Sequence, residues 1–296
     1  MTMRPMSLFE SRDSNGDVSL ACLFDDPSLA QGSTSVDVEG IAHLICRGGW
    51  PEAVLAADDS NAYGMSKDYI RAVAEEDISR VDGVERNPEY ALLIMRAYAH
   101  AVATQANMPT IRGLIKAQKT ELSRGTVDAY VAALRKLYVF EDLDAWTPSL
   151  RDRSRIATTP TRHFVDPSLA AAALGASPDI LLKDLPTMGM LFEALCVRDL
   201  RIYAESIGGK AFHYHDDAGR EADAVVVLDD GRWALVEVKM GSQRVEEGAA
   251  SLLKLADKID SSVMGAPSLL MVMAPVQYAY QRPDGVVVVP PTCLKP

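Results

Sequence analysis

The sequence is poor in cysteine, in long apolar runs and in net positive charge, and each shortage excludes something. Its four cysteines (Cys22, Cys46, Cys196, Cys293) are scattered over 296 residues without a CxxC pair. That spacing speaks against a disulfide framework or a cysteine zinc site and fits reduced thiols. The opening MTMRPMSLFESRDSNG lacks the apolar stretch of a signal peptide. No run approaches the ~20 apolar residues of a membrane span, since LAAAALGA and PSLLMVMAPV both fall short. A cytoplasmic protein with no membrane partner is the expectation. A formal charge of −11 argues against a protein that coats nucleic acid with its whole surface, and leaves room for a local basic patch. No serine sits in a GxSxG elbow, and no GxxxxGK[ST] phosphate loop occurs; IGGKAF at 207–212 has neither the spacing nor the Ser/Thr. The chain is expected neither to bind nor to hydrolyse ATP.

What is present is globular composition, 48% hydrophobic and 24% charged, in a chain long enough for two compact domains. Residues 68–106 carry apolar side chains at helical spacing, interrupted by SRVDGVERN, with Pro88 placed to open the second helix. The polar, Arg/Thr-rich stretch 150–163 reads as a linker or exposed loop. HFVDPSLAAAALG then reads as a short strand followed by a helix that Asp166 and Pro167 open. The last hundred residues alternate a helix (187–206), β-rich stretches (211–240), a helix (244–260) and two more strands (268–274, 285–289).

Within 109–138 the pattern is that of a helix-turn-helix. Pro109 can open a helix bearing Ile111, Leu114 and Ile115, and Ser123 can cap a second one bearing Val127, Val131, Leu134 and Leu137. Six basic residues (112, 116, 119, 124, 135, 136) stand against two acids (121, 128), a net +4 inside a chain of −11. Arg112, Lys116, Lys119, Arg124 and Arg135 are the candidate nucleic-acid contacts, with DNA the expected partner and Arg124 and Lys119, at the turn, foremost. YVFEDLDAW could supply a wing hairpin. A helical hairpin that merely packs, its charges solvated, would show the same pattern.

The tract EADAVVVLDDGRWALVEVKM (221–240) reads as two strands around a turn, with Glu221, Asp223, Glu237 and Lys239 gathered at one end. A three-residue loop at Asp229-Asp230-Gly231 puts residue 228 opposite 232, and hence Asp223 opposite Glu237 and Glu221 opposite Lys239. A two-residue loop would send Asp223 and Glu237 to opposite faces. Adjacent carboxylates repel and are costly to bury, and a divalent cation removes both problems. Asp223 and Glu237 are hard oxygen ligands of the kind Mg²⁺ takes. Lys239 could orient a water or stabilise developing charge. The plain alternative is a hairpin end with a surface Glu221–Lys239 ion pair, worth ~0–1 kcal/mol.

This arrangement resembles the PD-(D/E)XK phosphodiesterase superfamily, with Asp223 as the first acid and Glu237-Val238-Lys239 as the (D/E)XK element. Ala222 stands where the superfamily's proline would be. The resemblance implies Mg²⁺-dependent phosphodiester cleavage, with Glu193 in LFEALCVRDL as an accessory acid from a preceding helix. Further stretches occur in a fixed order: RGGWPEAV (47–54), AEEDISR (74–80), RHFVDPSLAAAALG (162–175), MGMLFEAL (188–195) and GREADAVVVLDDGRWALVEVK (219–239). Together they resemble the C-terminal part of a prokaryotic AAA-type ATPase family, in which a winged-helix segment and a nuclease-like domain follow the ATPase domain. The resemblance implies an α+β chain divided into 1–62 (the end of the ATPase core and a lid-like segment), 63–150 (helical, winged-helix-like) and 160–296 (restriction-endonuclease-like α/β). A separate ATPase is the implied partner, and a non-catalytic regulatory module is the alternative role. His213 and His215, on one face of an expected strand, lack an evident third metal ligand.

Overall fold

The computed structural model describes residues 3–148, 159–259 and 264–296. The described residues form two units, one of 3–5, 42–142 and 159–194, the other of 6–41, 143–148, 195–259 and 264–296. The expected linker at 150–163 lies largely outside the described residues.

The first unit is helical. Its main helices are α1 (Asp59–Ala72), α2 (Pro88–Ala99), α3 (Met108–Ala117), α4 (Arg124–Lys136) and α5 (Pro167–Leu174). Each begins where a short polar side chain bonds a free backbone N–H of the first turn: Asp58, Asn87, Asn107, Ser123 and Asp166. Pro88 and Pro167 follow their caps directly, where the missing N–H costs nothing. Helix α2 packs against α3, α4 and α5, and α5 also against α1. The tract AEED continues α1 as a π-helical turn, Val73–Asp77.

Two of the motifs singled out above meet inside this unit. The buried Asp166 carboxylate accepts the N–H of Ser168 as a cap and the N–H of Gly49 at 2.9 Å. The Ser168 hydroxyl takes the Trp50 indole N–H and the Ser66 hydroxyl. Gly48 has φ +72°, and a Cβ there would collide with Ser168 and the Asp166 carboxylate. Gly-Gly-Trp is therefore the backbone passage that lets Asp166 bind across the unit.

The wing expected from 138–146 is not formed. Phe140 makes an isolated antiparallel bridge with Phe164 and Ala145 a parallel one with His213. The hairpin loses to burial: Phe140 stacks on Tyr98 at 3.8 Å and meets Phe164 edge-on at 5.0 Å, which a solvent-exposed wing would forgo.

The second unit holds a seven-stranded mixed sheet. Its strands, with an outlying pair, are β1 (Val18–Ser19), β2 (Gly32–Ser33), β3 (Gly209–His215), β4 (Glu221–Leu228), β5 (Trp233–Val238), β6 (Leu269–Met273), β7 (Tyr278–Gln281), β8 (Val287–Val289) and β9 (Leu294–Lys295). The sheet order is β2-β7-β8-β6-β5-β4-β3, and β1 pairs separately with β9. Strands β5, β6 and β8 run parallel, and their sequences are apolar apart from Glu237 on β5. Helix α6 (Leu185–Ser206) precedes β3. Helix α7 (Val245–Ala256) joins β5 to β6 and lays Val245, Ala249, Leu252 and Leu255 against Trp233, Leu235 and Val272.

Residues 6–41 belong to this unit, so the sequence-based division at residue 62 does not coincide with the packing. Strand β2 extends the sheet at β7. Buried Asp199 on α6 accepts the Leu8 N–H at 3.0 Å, and Ser14 bonds the Leu294 carbonyl. Strands of two residues carry no alternation to read, which hid this association in the sequence.

Candidate active site at the end of the hairpin

The β4–β5 ladder pairs Ala224 with Val236, Val225 with Leu235, Val226 with Ala234 and Val227 with Trp233. This is the register of the three-residue loop: Leu228 N–H bonds the Arg232 carbonyl and Gly231 has φ +90°. Beyond Ala224 the ladder is continued by a side chain, because Asp223 Oδ2 accepts the Val238 N–H at 2.7 Å. Asp223 is thereby fixed against Val238 at the end of β5, and the residue before it, Glu237, pairs with Val272 on β6.

Glu237 is 3% exposed. One of its oxygens takes the Lys239 ammonium at 2.6 Å. Its other oxygen, Oε2, is buried without a hydrogen-bond partner. A buried carboxylate oxygen left bare costs roughly 1–3 kcal/mol or more, a cost that a proton or a cation on the carboxyl would relieve. Lys239 pairs with Glu237 and not with Glu221, which lies exposed opposite His215 on β3. The surface Glu221–Lys239 pair of the plain alternative is absent among the described residues, and a buried Lys239–Glu237 pair stands in its place.

Burial pushes the Glu237 carboxyl well above the ordinary carboxylate range, and the Asp223 charge pushes it further, against the opposing Lys239. Burial likewise raises Asp223, which Lys239 and the Val238 N–H partly offset. For Lys239 burial favours the neutral amine, but Glu237 and Asp223 outweigh it and the ammonium is held more firmly than usual.

Two participants were missed in the sequence. Gly248 on α7 lies over the site: a Cβ there would approach Lys239 Cγ to 3.2 Å and Glu237 Cγ to 3.4 Å. Its missing side chain makes room for both stems. Arg244, just ahead of α7, is exposed, pairs with Glu247 at 3.2 Å and lends positive charge that favours ionised Asp223. A glycine inside a helix was the available signal, since it costs ~1 kcal/mol there without a packing reason.

Glu193 lies half-buried on α6 within the first unit, so the site described here is made by second-unit residues alone. His213 is buried and His215 exposed on β3. Among the described residues, no group of three or more His, Cys, Asp and Glu side chains is arranged to hold a metal ion. Nor, among them, is any helix long and apolar enough to cross a membrane.

The basic residues of the first unit divide. Lys116 pairs with Glu121 at 3.1 Å, and Lys119 is exposed at the end of α3 with φ +61°. Arg112 and Arg124 both reach Asp128, at 3.8 and 3.4 Å, and Arg135 bonds Asp142 at 2.6 Å.

Residues 38–180 match a family model described as a domain of unknown function, DUF8612, and residues 188–294 match another, DUF4143. The chain thus carries two domains of unknown function. No curated protein and no solved structure matches it.

Proposed function

We propose that the second unit is a metal-dependent phosphodiesterase site acting on nucleic acid, with Asp223 and Glu237 as the metal-binding carboxylates and Lys239 as the assisting cation. The observation that carries this reading is the bare, buried Glu237 Oε2 beside a second carboxylate and a lysine. The residues fit a hard divalent cation such as Mg²⁺: two oxygen donors, held electrically uncomfortable by burial, with charge for a cation to neutralise. Such an ion, when bound, acidifies water and offsets negative charge on a phosphate. Asp223 is oriented by the Val238 N–H and Lys239 is seated on Glu237; in this reading the Lys239 ammonium would hold an attacking water or meet charge developing on the phosphate. Arg244 supplies a further positive group. The restriction-endonuclease-like assignment of the second unit, a helix-turn-helix without its wing in the first, and a separate AAA-type ATPase as partner belong to the same reading and rest on the ordered motifs.

The test is cleavage of single- and double-stranded DNA with Mg²⁺ or Mn²⁺, comparing wild type with Asp223→Ala and Lys239→Ala. Metal-dependent cleavage that falls by roughly 10²-fold or more in both variants is expected. A wild type that cleaves nothing across salt and substrate would overturn it. That outcome would favour a non-catalytic regulatory module, for which Lys239 seated on Glu237 and Asp223 seated on Val238 are the supporting contacts.

A further inference from the structure

The stripe Arg124, Asp128, Val131, Arg135 recurs along one face of α4 at spacings of four, three and four. It faces the first turn of α3, where Met108, Pro109 and Arg112 complete a groove of about 340 Å³. That is the lower end of the size range of small-ligand sites. Three guanidiniums line it against one carboxylate, Asp128, leaving two positive charges in excess. The first turn of α3 contains no acid, so nothing there offsets the positive end of the helix dipole.

Asp128 is a poor internal partner for these arginines. It lies 3.4 Å from Arg124 and 3.8 Å from Arg112, beyond the 2.7–2.9 Å of a well-formed charged hydrogen bond. A carboxylate fixed to one helix cannot draw both guanidiniums in. A tetrahedral phosphate, with more oxygens and free to move, could bridge them at little cost, since loose exposed pairs are worth ~0–1 kcal/mol each. Arg135 is held differently. Its partner Asp142 is nearly buried and also takes the Arg162 guanidinium at 2.7 Å and the Tyr98 hydroxyl at 2.5 Å. That network fixes one wall of the groove, while Arg112 and Arg124 meet Asp128 at the longer distances of 3.8 and 3.4 Å.

We infer that this groove binds a phosphate group, with Asp128 occupying the arginines until the ligand displaces it. The inference rests on the nucleic-acid reading above only for where the phosphate comes from: a nucleic-acid backbone or a free phosphate compound presents the same chemistry. It moves the contact from the turn, where Lys119 was expected to act, into the cleft between the helices.

The experiment measures binding of labelled single- and double-stranded oligonucleotides to the full chain in EDTA, by fluorescence anisotropy. Wild type is compared with Arg112→Gln/Arg124→Gln, with Asp128→Asn and with Lys119→Gln. The double variant should bind roughly tenfold more weakly or worse, and Asp128→Asn should bind up to about fivefold more tightly. Lys119→Gln should change little by comparison. Asp128→Asn keeps the size of the side chain and is expected to shift binding in the opposite sense, and an unchanged far-UV circular dichroism spectrum and melting temperature in each variant guard the test against a collapsed chain. Inorganic phosphate and pyrophosphate as competitors separate the sources: displacement at low millimolar levels or below assigns a free phosphate compound, and displacement only by polyanions assigns the backbone. Oligonucleotide and phosphate binding that is indifferent to all of these substitutions would overturn the inference. Hydrolysis of bis-p-nitrophenyl phosphate by wild type reads the Asp223 site separately, so either reading can fail while the other stands.

Discussion

Glu237 concentrates the electrostatics of the second unit in one side chain. Its carboxyl titrates above its ordinary value near 4.5 because burial, and then Asp223, penalise the charge. Between that value and the raised one, the folded chain holds a proton that the unfolded chain has released. Stability in metal-free buffer therefore falls as pH rises through this window, and is fullest below it. Glu237→Gln removes the proton from the balance. The melting temperature of wild type relative to Glu237→Gln, followed from pH 4 upward in EDTA, should fall with pH, by on the order of a kcal/mol or more in stability. Parallel curves for the two chains would contradict the assigned burial cost. The Lys239 ammonium, held more firmly than usual, adds nothing to this window because both its folded and unfolded forms are charged there.

At the scale of elements, Asp166 links what the sequence shows only as separate motifs. Asp166→Ala removes the cap of α5 and strands the Gly49 N–H in a buried position. The expected cost is about 2–4 kcal/mol, measurable by urea unfolding, and a loss below about 0.5 kcal/mol would show that the contact is incidental. The capped helices were legible in advance because Asn87-Pro88, Ser123 and Asp166-Pro167 are local signals acting on their own neighbours. The hairpin register was legible for the same reason: Asp-Asp-Gly selects a three-residue loop, and the loop sets every cross-strand pair. The partners of the charges were not. Nothing near Lys239 in sequence announces that it prefers Glu237 to Glu221, and nothing near Arg135 announces Asp142. Those choices follow from which carboxylate burial makes expensive. The unformed wing failed likewise, through Tyr98 and Phe164, both distant along the chain.

For the whole molecule, composition gave the acidic balance, and the structure shows where the exception lies: the arginine face between α3 and α4. The α+β character and the C-terminal sheet were legible from strand-like runs. The enlistment of residues 6–41 was not, because it works through two-residue strands and single backbone bonds. This has a practical consequence. A fragment trimmed to the second family match, residues 188–294, would keep Asp223, Glu237 and Lys239. It would lose β2 and so bare one edge of β7, lose the Leu8 N–H that Asp199 accepts inside the protein, and cut β9 at Leu294 while removing its partner β1. Exposed strand edges recruit other chains. Such a fragment should elute as aggregates in size-exclusion chromatography, and a monomer as stable as the full chain would argue that the N-terminal segment is dispensable. The second unit is therefore heritable only as a whole: recombination that transplants its C-terminal half delivers Asp223, Glu237 and Lys239 without the strand that covers the edge of β7.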